Sequence, residues 1–309
     1  MRPLNLVDLA SLAYLQVTVT PNEAVTRDSF DVARRKALPV GLLMSEWFPV
    51  RRSRHAWVFA RGSRVYGLVT VRRRLGPSVW DIEKLQVQQG KEDLIREMLE
   101  RLSMVAGRMG IEKLFLRLGG DSPFRSLAAD AGFGCYVRES LYELQSNDSR
   151  PRTLVSPEGL RPVAPKDQLA LFSLYHAVAP PSVMCAEGIT FQEWHESWEG
   201  PAAKGKSAEF VVDAKGKVAA WMKLTEQPNH GLVDMLISPG ESTLGDQLVD
   251  FGLGMLVTRD TVYCFLPEFL YFLKTPLERK GFSPVNDYAL MYKQVVQKAR
   301  ETGLMPASA

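Results

Sequence analysis

Cysteine is scarce in this 309-residue chain, with only Cys135, Cys185 and Cys264, far apart and each in apolar company. No C-x-x-C pair and no even framework exist to be cross-linked, so the three read as buried thiols in a reducing compartment. Histidine is equally sparse, at four residues without metal-ligand spacing, and no metal site is expected. Nowhere do about 18 apolar residues run uninterrupted, which argues against a membrane span. The opening Met1–Asp8 carries an early acid and never sustains an apolar run, so it does not read as a signal peptide. A cytoplasmic protein is therefore expected. Net charge is low as well, at +3, which leaves no large electrostatic footprint for nucleic acid. The densest basic clusters, Arg51-Arg52-Ser53-Arg54 and Arg72-Arg73-Arg74, read as solvated loop and hairpin ends.

What is present is the balance of a folded protein, 46% hydrophobic and 24% charged residues, long enough for two domains with a core each. One punctuation mark occurs twice, half a chain length apart. Asp130-Ala131-Gly132-Phe133 ends a helical run before the strand Cys135–Tyr142, and Arg279-Lys280-Gly281-Phe282 ends another before the strand Tyr288–Tyr292. A glycine just past a helix supplies its left-handed closing residue, and the phenylalanine packs back on the last turn. Recurrence at this period points to an internal duplication.

The rest of the chain follows the same register. Arg2-Pro3-Leu4 and Arg161-Pro162-Val163 open the halves, and Asp8 and Asp167 follow their arginines at the same spacing, each as the expected N-cap of an apolar-periodic helix. Leu42–Trp47 answers Thr190–Trp194 as a second helix. Hairpins follow, Ala56–Ala60 with Val65–Val69 and Glu209–Asp213 with Val218–Met222, each with a glycine-bearing turn. Strands Ile82–Val87 and Gly231–Ile237 lead into helices Asp93–Met109 and Leu244–Val257, whose apolar residues share one face. Strands Lys113–Leu118 and Val262–Leu266, then helices Pro123–Ala131 and Pro267–Lys280, reach the Gly-Phe stops. Two domains are expected, residues 1–146 and 159–299, joined by a polar linker over 147–158 and followed by a tail, 300–309. In Phe191–Glu199 the stripe Phe191, Trp194 and Trp198 predicts an amphipathic helix packed on its sheet, with a ligand or metal role for His195 as the sharper alternative.

This order of elements, with Ala128–Phe133 and Leu277–Phe282 as terminal x-x-x-x-G-F segments and Ile237-Ser238-Pro239 as a strand-end V-x-P, resembles the GNAT superfamily of N-acetyltransferases, twice over. The resemblance implies an α/β (α+β) fold of two tandem GNAT-like domains, each a mixed, splayed central sheet flanked by helices. It implies an acyl-CoA-dependent N-acyltransferase, with acetyl-CoA as the cofactor and a small-molecule or protein amine as the acceptor. A pyrophosphate would sit on backbone N–H groups at a helix start. That segment is Val87-Gln88-Gln89-Gly90-Lys91 in the first half and Ser238–Asp246 in the second, and both depart from the family's glycine spacing and carry acids. The family's proton-donating tyrosine falls on Ala128 and Leu277, so Tyr136, Tyr142, Tyr271, Tyr288 and Tyr292 are the substitutes, Tyr142 foremost. For the general base the choice lies among Asp81, Glu83 and Asp234, with Glu83 foremost. A binding or scaffold protein that keeps the fold without the chemistry, and an aminoacyl-tRNA-dependent transferase, are the alternatives.

Overall fold

The computed structural model describes residues 1–5, 8, 11, 23–27, 30, 54–62, 64–74, 78–145, 156–192, 194, 206–228 and 230–295. The expected helix over 42–47, most of the helix after Asp8, residues 195–199, most of the linker and the tail lie outside these residues. Among them run β1 (Arg2–Pro3), β2 (Arg54–Arg61), β3 (Arg64–Arg73), β4 (Val79–Val87), α1 (Leu94–Arg108), β5 (Lys113–Gly119), α2 (Phe124–Asp130) and β6 (Gly134–Gln145). Then come β7 (Leu160–Pro162), α3 (Gln168–Val178), α4 (Pro181–Glu187), β8 (Lys206–Ala214), β9 (Lys217–Glu226), β10 (Gly231–Ile237), α5 (Leu244–Met255), β11 (Thr261–Pro267), α6 (Lys274–Arg279) and β12 (Ser283–Gln294). Among the described residues no helix is long and apolar enough to cross a membrane.

The chain forms two compact units that do not follow its two sequence halves. The first holds Met1–Arg117, Pro123–Gly134 and Tyr292–Ala309, and the second holds Leu118–Ser122 and Cys135–Met291. In the first unit the strand order is β1-β2-β3-β4-β5, antiparallel except for the parallel pair β4 and β5. Helix α1 forms because Ile95, Met98, Leu99 and Leu102 fall on one face, all fully buried, while Arg96–Glu100 and Glu97–Arg101 pair on the outer face. It comes so close to β3 that a Cβ on Gly67 would lie 2.6 Å from the Met98 sulfur, so a larger residue there would have to push the methionine's flexible end aside.

In the second unit the order is β12-β6-β11-β10-β9-β8-β7, with β10 and β11 parallel. Its core joins Tyr142 and Leu144 of β6 to Met222 and Leu224, Val233 and Met235, and Leu248 and Phe251 of α5. Strand β6, the end of the first half by sequence, is therefore built into the second half's sheet. Tyr292 onward goes the other way: its ring stacks on Phe115 at 6.1 Å in the first unit, and the Val295 N–H donates to the Glu112 carbonyl at 2.7 Å.

Both Gly-Phe stops take the expected form. Gly132 and Gly281 have φ of 87° and 89°, and the N–H groups of Phe133 and Phe282 donate back to the carbonyls of Ala128 and Leu277 at 3.0 and 3.1 Å. The first is reinforced by Lys293, whose Nζ donates to the Ala131 carbonyl at 2.6 Å. Burial pushes that lysine's pKa down. Helix Pro267–Lys280 is not continuous. A 3-10 segment, Glu268–Leu273, precedes α6, with Leu270 at non-helical φ and ψ. Helix α4 was not expected; it starts at Pro181, which needs no donor at a first-turn position. Of the three thiols only Cys264 is buried. Cys135 and Cys185 are exposed, the former on β6 beyond the stretch that pairs with β11 and the latter on the outer side of a short helix.

Asp167 does not cap α3 with its side chain, because an arginine and an upstream amide claim its oxygens first; the helix expected after Asp8 lies largely outside the described residues. Arg161 grips Asp167 through two N–H···O bonds of 2.6 and 2.9 Å, and the Ala164 N–H adds a third at 2.8 Å. Arg2 and Asp8 repeat this, with the Asn5 N–H donating to Asp8 at 3.0 Å. The two carboxylates are buried at 2% and 4% exposure under partly exposed arginines, so the duplication extends to a matching Arg–Asp pair at the start of each half, with Arg161 bound to Asp213 as well, at 2.6 Å. The arginine partner, and then the amide, hold both carboxyls below the usual carboxylate range. Removing one partner of such a pair leaves a buried charge unpaired, so Arg161→Met is expected to cost about 2–3 kcal/mol in urea melts. Because the folded pKa of Asp167 lies below its unfolded value near 3.8, this stabilisation is complete above that value and is lost as pH falls through the folded pKa. Acid titration of the melting midpoint should show the wild type losing stability faster below about pH 4 than the variant.

Candidate functional site

The feature that sets both units apart from ordinary sheets is a parallel pair that begins and then comes apart. In the first unit β4 and β5 pair only at Val79 with Lys113, Trp80 with Leu114 and Asp81 with Phe115. The ladder then ends, although β4 runs on to Val87 and β5 to Gly119. Along its other edge β4 stays on β3, with one irregularity: Val71 faces Ile82 while Thr70 faces Lys84, so Glu83 is an extra residue. This β-bulge bends and twists its strand just where the pair parts. In the second unit β10 and β11 pair from Gly231 with Val262 to Val233 with Cys264 and then part likewise. There β10 keeps an unbroken register with β9 from Gly231 to Ile237, without a bulge.

Glu83, the expected base, thus occupies the most irregular position at the first opening. Its carboxylate accepts from Arg54 at 2.8 Å and lies 3.7 Å from Arg72. Asp81, its neighbour, lies 3.5 Å from both Arg72 and Arg74, and the Arg74 guanidinium stacks 4.2 Å above the Phe115 ring. Part of the basic cluster is therefore not a solvated hairpin end: Arg54, Arg72 and Arg74 compensate two acids beside the opening. His55 packs between Trp57 and Trp80 at 5.7 and 5.3 Å; burial, then Arg73, push its pKa down.

The expected phosphate loop runs from the end of β4 into α1. Val87 is buried, Gln88 is half-buried, and Gln89, Gly90 and Lys91 are exposed. Gly90 adopts a φ of 79°, which turns its N–H out of the chain path. That N–H donates to the Glu92 carboxylate at 2.8 Å, and the Gly90 amide, followed by Glu92's own, draws the carboxyl's pKa down. The loop therefore accommodates an oxyanion, and a side chain of the loop itself supplies it. In the second unit the corresponding loop has its acids engaged elsewhere, Glu241 with Lys215 at 3.3 Å and Asp246 with Arg279 at 2.8 Å.

The tyrosines separate cleanly. Tyr142 sits on β6 opposite Cys264, the last residue of β11 that pairs with β10. Its ring is 2% exposed, and burial pushes the phenol's pKa up while Lys274 draws it down. Tyr271 is near it, with Lys274 donating to the Tyr271 hydroxyl at 3.4 Å. Tyr136 instead bonds Glu187, Tyr288 accepts from Asn286, and Tyr292 stacks on Phe115. Glu83 and Tyr142 belong to different units. Asp234 pairs across from Lys223, which is bound to Glu209 at 2.9 Å.

No family model matches the sequence, and no curated protein matches it either. Solved structures do. A GCN5-related N-acetyltransferase from Sphaerobacter thermophilus superposes with a TM-score of 0.58 at 13% identity, covering 96% of both chains. A tandem GNAT protein from the clavulanic acid biosynthesis pathway gives a TM-score of 0.54 at 15% identity, over 94% of this chain and 96% of that one. A putative acetyltransferase from Pyrococcus horikoshii gives 0.52 at 12% identity, over 96% and 90%. At these identities the likeness establishes the fold.

Proposed function

We propose that this chain, which has the fold of the GNAT acetyltransferases, is an acyl-CoA-dependent N-acyltransferase acting on an amine, with its reaction site at the first unit's opening. The observation that carries this reading is the parting of β4 and β5 at the Glu83 bulge, followed by a loop whose Gly90 N–H already holds a carboxylate. Val87, Gln88, Gln89, Gly90 and Lys91 would hold the diphosphate of acetyl-CoA. A phosphate oxygen would replace the Glu92 carboxylate on the Gly90 N–H, with the dipole of the fifteen-residue helix α1 behind it. When bound, the acyl-CoA supplies an activated acyl group. Glu83, released from Arg54, would take the proton that the amine sheds on attack. The CoA thiolate that leaves would take its proton from solvent, because Tyr142, the expected donor, lies in the second unit; it would serve as donor only if the second unit's opening were the reaction site.

A binding or scaffold role is the second reading, favoured by the engagement of Glu83 with Arg54 and of Gly90 with Glu92 in the free protein. Calorimetric titration with acetyl-CoA decides between them. Saturable binding is expected, and its absence at ~1 mM ligand would leave the scaffold. Because Glu92 competes for the loop, Glu92→Ala should tighten acetyl-CoA binding by about two- to fivefold, the worth of one unfavourable charge at a helix start. Unchanged affinity would mean that the diphosphate does not seat on Gly90.

A further inference from the structure

A cluster in the second unit, apart from the first unit's opening, surrounds a phenol whose hydroxyl is uncommitted. The Tyr142 ring is 2% exposed and packed into that unit's core. Its hydroxyl reaches solvent at the tip and makes no hydrogen bond among the described residues. Ser140, two residues away on the same face of β6, is satisfied, since it donates to Asp287 of β12 at 2.6 Å. Burial, and then Lys274, Glu278, Tyr271 and Asp287, set the Tyr142 pKa, so all four side chains stand within electrostatic reach of the hydroxyl. Lys274 opens α6, and its ammonium makes only long contacts, 3.4 Å to the Tyr271 hydroxyl and 3.8 Å to Glu278. Every residue of the cluster lies in the second unit.

A phenol whose ring is fixed by the core is a ready donor, because a ligand gains the bond without the cost of ordering the side chain. The ammonium carries three donors, of which the Tyr271 oxygen takes one and Glu278 engages another loosely. By accepting from Lys274, Tyr271 keeps its own O–H to donate. The cluster therefore offers an ammonium and two phenols, with the face of Tyr271, a residue 52% exposed, beside the ammonium. Donors of this kind suit an oxyanion, and Glu278 and Asp287 limit its charge. A phosphate dianion would meet the repulsion of both carboxylates twice over, whereas a monoanion meets half of it. A neutral carbonyl compound would accept the bonds and leave the ammonium's charge unanswered. We propose that Tyr142, Lys274 and Tyr271 bind a small-molecule carboxylate, its oxygens on the ammonium and the two phenols and its carbon body on the exposed face of Tyr271. The site does not rest on the acyl-transfer reading, because none of its residues belongs to the first unit's opening.

The test is calorimetry on the full chain near neutral pH with sodium benzoate, against sodium phosphate and benzyl alcohol at matched ionic strength. Saturable binding of benzoate is expected, with none of benzyl alcohol and with phosphate bound more weakly. Tyr142→Phe, which removes the hydroxyl and leaves the ring in the core, should weaken benzoate by about fivefold, and Lys274→Met by about tenfold. Glu278→Gln should tighten it by about twofold, because an opposing charge beside the ammonium is gone. Circular dichroism establishes that each variant is folded, and if Lys274→Met is not, the Tyr142→Phe and Glu278→Gln comparisons decide. Heats that do not saturate, benzyl alcohol bound as tightly as benzoate, or variants that bind like the wild type would each overturn the site. Phosphate bound more tightly than benzoate would overturn its assignment to a carboxylate.

Discussion

Residues 1–146 and 159–309, produced as separate chains, are each expected to fail to fold, whereas the full chain melts cooperatively. The reason lies in the assignment of the last strands. All seven residues of β11, Thr261 to Pro267, pair with Gln145 to Glu139 of β6, so the second half alone would leave that side of the strand without its partner. It would also lose Leu141, Tyr142 and Leu144 from burial at 1–2% exposure, each worth roughly 2 kcal/mol. The first half alone would lose the Tyr292 ring on Phe115, the Val295 N–H on Glu112 and the Lys293 ammonium that closes α2. Against a whole-domain stability of about 5–15 kcal/mol, losses of this size are not survivable. Far-ultraviolet dichroism and thermal melts of the two fragments check it; a sharp melt from either fragment by itself would show that the strand exchange is dispensable.

That exchange was the part of the fold least visible in the sequence. Period-2 and period-3.6 patterns located the hairpin strands, the central strands and the helices α1, α2, α3 and α5 among the described residues, and Gly132-Phe133 with Gly281-Phe282 fixed the register between the halves, because a left-handed closing residue is a local requirement that sequence records directly. Which partner a finished strand chooses is a long-range property. The ordinary expectation that neighbours in sequence are neighbours in space put Tyr142 with its own half. The bulge at Glu83 was hidden for a related reason: it exists only in the register between β3 and β4, since Ile82–Val87 reads as an unbroken strand by itself. The pairs Arg2–Asp8 and Arg161–Asp167 were half legible. Their equal spacing marked the duplication, but a helix-capping role is the stronger local prior for an aspartate before an apolar run, and only the fold brings the arginine's fork round to it. The stripe Phe191, Trp194 and Trp198 predicts packing on the sheet, whereas the ring contacts of Phe191 and Trp194 are with Phe172 of α3, and Trp198 lies outside the described residues.

Glu83→Gln should cut acyl transfer to an amine by about 10²–10⁴-fold, the usual worth of a positioned general base, with the affinity for acetyl-CoA changed little. The substitution keeps shape and length, and Gln can still accept a hydrogen bond from Arg54, so the 2.8 Å contact that now holds the side chain has a replacement. What is lost is the ability to take a proton at the position where β4 leaves β5. Tyr142→Phe provides the contrast. Its hydroxyl belongs to the second unit, and a reaction confined to the first unit's opening should lose less than about threefold in kcat/KM when it is removed, the scale of an indirect packing change of a few tenths of a kcal/mol. The two variants therefore divide the units between them. A large loss with Glu83→Gln and a small one with Tyr142→Phe places the chemistry at the bulged strand. The reverse pattern would move it to the β10 and β11 opening, where Asp234 would have to serve as base without a bulge to aim it, and the proposal for Glu83 would be wrong.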